Sequence, residues 1–146
     1  MDTVNIRCYG SRMTTQIFVN VPVKDLDRSV EFFTKLGYTF NPQFTDGNAT
    51  CMVVSDTIFF MLLVEPFFQT FTDKKIADAS THVEAILGLS AESKDAVDEH
   101  VDKAIAAGAI EPRPAQELGF MYSRSYQDLD GHLWEIIWMD PATLEG

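Results

Sequence analysis

Cysteine is scarce in this sequence: there are two, Cys8 and Cys51, far apart and outside any CxxC or zinc-type spacing. A disulfide framework and a Cys-rich metal centre are therefore excluded, and both residues read as free thiols. Long apolar runs are also missing. The longest, IFFMLLV at 58–64, is far short of the roughly 20 residues that span a bilayer. The N-terminal MDTVNIRCYGSR has no apolar core of the secretory kind, so a cytoplasmic protein with no membrane partner is the expectation. Positive charge is sparse, with 11 Lys and Arg against 22 Asp and Glu and a net charge of −11. Such a surface repels phosphate, which argues against nucleic acid and anionic membranes and leaves small molecules or protein surfaces as partners. Glycine-rich phosphate loops, a nucleophile elbow and HExxH are absent as well.

What is present is ordinary globular composition, 46% hydrophobic, in a length that suits one domain or two small modules. IFVNVPV at 17–23 alternates as a strand, with Ile17, Val19, Val21 and Val23 on one face and Phe18, Asn20 and Pro22 on the other. DLDRSVEFFTKLG follows with Asp25 as helix N-cap, Leu26, Val30 and Phe33 at helical spacing, and Gly37 at the stop. YTF, NATCMVV and IFFMLLV then read as strands, the last two joined at Ser55, Asp56 and Thr57. After a polar linker at 72–82 the order begins again. VEAILGLSA is a strand, and Ser93 caps a helix with Val97, Val101, Ala104 and Ile105 on one side. A short strand around Ala109 to Glu111, the loop PRPAQELG, and the strands GFMYSRSYQ and HLWEIIWM complete the second half. The reading is an α+β fold of two βαβββ modules, 13–71 and 83–140, with curved mixed sheets around a cavity. Residues 1–12 read as an extension, flexible or left by cloning, and 141–146 as a C-terminal tail.

The connection DLDG at 128–131 suggests a register for the last hairpin in which Gln127 and His132 flank the loop and Arg124 falls opposite Glu135. On that reading Tyr122, Arg124 and Tyr126 share a face with Leu133, Glu135 and Ile137. His132, Trp134, Ile136 and Trp138 point to the other side, toward a helix. Glu135 and Arg124 then form either a plain ion pair or a site. In the site reading Arg124 is a forked donor for an anionic group, with Glu135 positioning it or acting as catalytic base. Tyr122, Tyr126, Asn20 and Phe18 are the further ligand-binding candidates. His82, His100 and His132 read as exposed or structural.

Two stretches resemble the vicinal oxygen chelate superfamily, the glyoxalase, bleomycin-resistance and ring-cleaving dioxygenase group. VPVKDLDRSVEFFTKLGY at 21–38 is similar to that family's strand followed by DLxxSxxFYxxLGF, and YQDLDGHLWEI at 126–136 to its FxDPDGxxxEL. FVNVPVKDL and FMYSRSYQDLDGHLWEIIWMDP look like the branch described as predicted lactoylglutathione lyase. The resemblance implies two βαβββ modules, frequent homodimers, and one divalent metal held by side chains from four strands. Glu135 matches the ligand of the last strand. The first-strand ligand position falls on Phe18, its counterpart in the second module near Ala85, and Phe60 to Leu63 offers no carboxylate. Glu135 is thus the one metal ligand retained, with His82, Glu84 and Glu65 as the nearest substitutes. A lone carboxylate does not make a metal site, since a divalent ion needs several nitrogen or oxygen donors. A divalent metal is accordingly not favoured as cofactor, and the expected function is binding of a small anionic or aromatic molecule at a degenerate metal site. The alternative is a metal-dependent lyase or isomerase of the glyoxalase I type.

Overall fold

The computed structural model describes residues 14–144, so the expected extension at 1–12 lies outside the described residues. The chain divides into two compact units, 1–76 and 77–146. Each carries a four-stranded mixed sheet.

In the first unit the elements are β1 (Ile17–Val23), α1 (Leu26–Lys35), β2 (Thr39–Asn41), β3 (Ala49–Val53), β4 (Ile58–Val64) and a short α2 (Glu65–Phe68). The sheet order is β1-β4-β3-β2, with β1 parallel to β4 and the other pairs antiparallel. Asp25 caps α1 by accepting from the Arg28 amide at 3.1 Å, and the helix lies against β4, burying Leu26, Ser29, Phe32 and Phe33. The register places Val19, Val21 and Val23 beside Phe60, Leu62 and Val64 on one face, and Phe18, Asn20 and Pro22 beside Phe59, Met61 and Leu63 on the other. β4 is apolar on both faces because both are covered, which is why IFFMLLV shows no alternation.

The second unit repeats the topology with β5 (Ile86–Ser90), α3 (Lys94–Ala106), β6 (Gln116–Glu117), β7 (Met121–Gln127) and β8 (Leu133–Met139), in the order β5-β8-β7-β6; a final turn, α4, covers Pro141–Leu144. Ser93 caps α3 on the Ala96 amide at 3.0 Å. One expected element is displaced. The segment around Ala109 to Glu111 makes only a single bridge, Ile110 to Gln127, and the paired edge residues are Gln116 and Glu117, inside the stretch that reads as a loop. Pro112 and Pro114 lie between them and have no N–H to give a ladder, so the edge strand breaks and rejoins beyond them.

The β7–β8 hairpin also differs from expectation. Its ladder ends at the pair Gln127–Leu133, and the Asp128 amide donates to the His132 carbonyl at 2.9 Å, so the loop runs from Asp128 to His132. Asp128 organises that loop. Its Oδ1 accepts from the amides of Asp130 at 2.9 Å and His132 at 3.0 Å, and its Oδ2 accepts from the indole N–H of fully buried Trp134 at 2.9 Å. Burial pushes the Asp128 carboxyl up, against the nearby His132 charge and the three donors, which pull it down. Gly131 has φ +96°, and a Cβ there would lie 2.6 Å from the Ala79 carbonyl oxygen. Only glycine fits that turn. The DLDG signature is thus a structural device that fixes the hairpin.

Candidate functional site

The observed register pairs Arg124 with Ile136 and Ser125 with Glu135, so Arg124 and Glu135 lie on opposite faces of the sheet. The expected Arg124–Glu135 pair does not form. Tyr122, Arg124 and Tyr126 share their face with Trp134, Ile136 and Trp138, on the side where α3 packs. There Arg124, with 12% of its side chain exposed, is held by three carboxylates. Its Nε and Nη2 fork onto Glu111 at 2.9 and 3.1 Å, and its Nη1 reaches Asp98 at 3.1 Å and Asp102 at 2.9 Å. These bonds, Glu111 first, raise the guanidinium's proton affinity further. Tyr122 donates its hydroxyl to Asp98 at 2.7 Å, and that bond is the main cause of its rise to about 12. Tyr126 is fully buried, stacked on Trp134 at 6.1 Å between ring centroids. Arg124, Tyr122 and Tyr126 therefore build the helix–sheet core, with most of the Arg124 N–H groups already used. The sequence carried a signal for this, because Asp98 and Asp102 are one helical turn apart, facing the strand that bears Arg124.

His100 stands in the same layer, its Nε2 3.5 Å from the Tyr126 hydroxyl. Burial, with Lys103 adding charge repulsion, lowers its pKa to about 4. The unfolded chain then takes up a proton near pH 6.5 that the folded chain refuses until about pH 4. His100's contribution is therefore full above pH 6.5 and is lost as pH falls through that window. Urea denaturation across this range should show a steeper loss for the native sequence than for His100→Phe.

The other face of the second sheet carries Glu135. Its neighbours in register are Gly88 on β5 and Ser125 on β7, with Ile86, Leu133, Ile137 and Ser123 around them. Glu135 accepts from Arg113 Nη2 at 3.2 Å, with side-chain exposures of 19% and 46% respectively. Arg113, between the two prolines of the edge loop, is the residue that sequence reasoning missed. Ser123 and Ser125 are 1% and 6% exposed, and neither hydroxyl has a hydrogen-bond partner among the described residues.

In the first unit the face that bears Phe18 is apolar apart from Asn20 at its exposed part. Phe18 stacks on Phe59 at 5.3 Å, and Phe44, Val53 and Met61 pack with them around buried Cys51. Asn20 is exposed and donates from Nδ2 to the Phe18 carbonyl at 3.3 Å. Of the substitute donors, His82 sits exposed with its Nδ1 2.8 Å from Thr81 Oγ1. Among the described residues no three His, Cys, Asp or Glu side chains gather as a metal group. In the first unit Phe18, Phe59 and Met61 supply no hard donor, and in the second Glu135 already has a guanidinium partner, so neither group taken by itself fits a divalent ion.

Residues 15–55 match the family described as bleomycin resistance protein-like N-terminal. A glyoxalase/bleomycin resistance protein/dioxygenase family enzyme from Burkholderia phytofirmans PsJN superposes with a TM-score of 0.72 at 17% identity, over 86% of this chain and 99% of that one. The fold is that of the glyoxalase/bleomycin resistance proteins. Hypothetical protein SA1046 from S. aureus shares this glyoxalase/bleomycin resistance fold at 24% identity and TM-score 0.72, over 92% and 99% of the two chains. So does a fosfomycin resistance protein from Listeria monocytogenes, complexed with Mn(II) and sulfate ion, at 15% identity and TM-score 0.63, over 84% and 88%. No curated protein sequence matches the chain.

Proposed function

We propose that the chain is a vicinal oxygen chelate superfamily protein that binds a small molecule without a divalent metal, using the Glu135 face of its second sheet. The observation that carries this reading is the donor set. Glu135, which the sequence resemblance matches to the ligand of the last strand, is hydrogen-bonded to Arg113, and the first sheet, taken by itself, packs Phe18 into an apolar cluster. A carboxylate beside a guanidinium, flanked by Gly88 and serines, orients a ligand through hydrogen bonds and asks nothing of a Lewis acid. Glu135 would accept from the ligand; Phe18 and Asn20 stay ligand-binding candidates of the first unit taken by itself. Arg124 is removed from the ligand-binding set because its carboxylate partners already occupy it. That weakens the case for an anionic ligand, since the remaining cation, Arg113, is already engaged. A homodimer is part of the proposal, supported by the exposed apolar residues Leu118, Phe120 and Met139.

Saturation-transfer NMR with a fragment library on EDTA-treated protein tests the reading. Fragments that bind metal-free and are lost in Glu135→Gln, with the fold intact, are the expected result. Fragments that bind only after nickel, zinc or manganese is added would put the glyoxalase I type of lyase in its place.

A further inference from the structure

The hydroxyls of Ser123 and Ser125 are buried and, among the described residues, unpartnered. Buried polar groups are nearly always paired, so two side by side on one face need a reason. Their direction is fixed by their neighbours: Tyr122 and Arg124 bond to α3 on one side of the sheet, and strand alternation turns Ser123 and Ser125 to the other, where Glu135 lies. Ser125 is the direct cross-strand neighbour of Glu135, and Ser123 the diagonal one. On the far side of Glu135 stands Gly88, where an added Cβ would meet only the Ile137 Cδ1 at 3.5 Å. Small residues therefore border the carboxylate on both strands.

We propose that Glu135, Ser125 and Ser123 form a subsite for an uncharged ligand bearing neighbouring hydroxyl groups, a polyol or sugar. This deepens the metal-free binding reading and rests on it. The chemistry selects the class. Glu135 only accepts, each serine both donates and accepts, and neighbouring ligand hydroxyls offer the complementary pattern. An anion would meet the Glu135 carboxylate at once, in a chain of net charge −11. A cation would compete with Arg113 for that carboxylate and leave the serine hydroxyls with no acceptor of their own. A ligand hydroxyl instead donates to the Glu135 oxygen Oε2, since Arg113 takes Oε1 alone, and the serine hydroxyls are the next hydrogen-bonding groups beside it in register.

Two measurements test it. Because the hydroxyls are buried for no partner within the fold, the double variant Ser123→Ala/Ser125→Ala should melt higher than the native chain by about 3 °C. A lower melting temperature would mean that the hydroxyls are satisfied structurally, by the fold or by ordered water, and would overturn the subsite. In the second, glycerol, D-ribose and D-glucose are titrated into metal-free protein and followed by amide NMR. At least one should give saturable shifts at Ser123, Ser125 and Glu135, and the double variant should bind it about tenfold more weakly. No saturable shift with any of the three, or equal binding by the double variant, would overturn the proposal. Binding that survives the serine changes but is lost in Glu135→Gln would overturn the serine subsite alone and leave the metal-free reading standing. Binding that requires an added metal would overturn that reading itself.

Discussion

Replacing Asp128 by alanine should lower the stability of the protein by about 3 kcal/mol, enough to move its melting temperature by roughly 10 °C. The loss is large because one carboxylate serves three donors: the amides of Asp130 and His132, which shape the loop, and the indole N–H of Trp134. Trp134 and its stacking partner Tyr126 are both fully buried, so the indole nitrogen loses its acceptor in the middle of the second unit's core. Burying such a group without compensation costs more than the bond contributes when made. Asp128→Asn keeps one acceptor oxygen and should cost about half as much. Urea denaturation of the two variants checks both values. Equal stability of Asp128→Ala and the native chain would show that the loop is held by its backbone alone.

Arg124→Ala should be the second most damaging change, at about 2 to 3 kcal/mol. Removal of this guanidinium leaves Glu111, Asp98 and Asp102 facing one another with no cation among them. Breaking a fully buried pair costs about 3 to 5 kcal/mol. The figure here is discounted because Asp98 and Asp102 keep 44% and 67% of their side-chain exposure, and water screens them. Arg124→Lys should recover only part of the loss, since an ammonium cannot fork onto Glu111. The folded fraction of Arg124→Ala should bind any ligand of the Glu135 face as the native chain does. A variant of native stability that has lost ligand binding would restore Arg124 to the site.

These two positions also mark how far the fold and the site were legible in the sequence. The doubled βαβββ order was legible because helix caps, glycine stops and apolar periodicity agree at Asp25, Gly37 and Ser93. The faces of β8 were legible too, because Trp134, Ile136 and Trp138 alternate with a charged residue. β7 was not. In MYSRSYQ the large residues are Tyr and Arg, whose polar ends suggest a ligand and whose bodies pack a core equally well. Its register then rested on the loop length alone. Counting His132 as paired instead of as the last loop residue shifted the ladder by one, and in a sheet a shift of one turns every side chain over. The edge strand escaped for a different reason, because Pro112 and Pro114 interrupt it. Arg113 was hidden with it, since no local pattern links the middle of a proline loop to a strand residue 22 positions on.

The claim that Glu135 serves a metal-free site is tested most directly by elemental analysis of the purified protein after soaking in nickel, zinc, manganese and iron, beside Glu135→Gln treated in the same way. With Arg113 as its partner and Gly88 and Ser125 as its neighbours in register, the native chain should retain no stoichiometric metal, and the two proteins should be indistinguishable. One metal per chain in the native protein, absent from the variant, would contradict the account and return Glu135 to the role of a ligand.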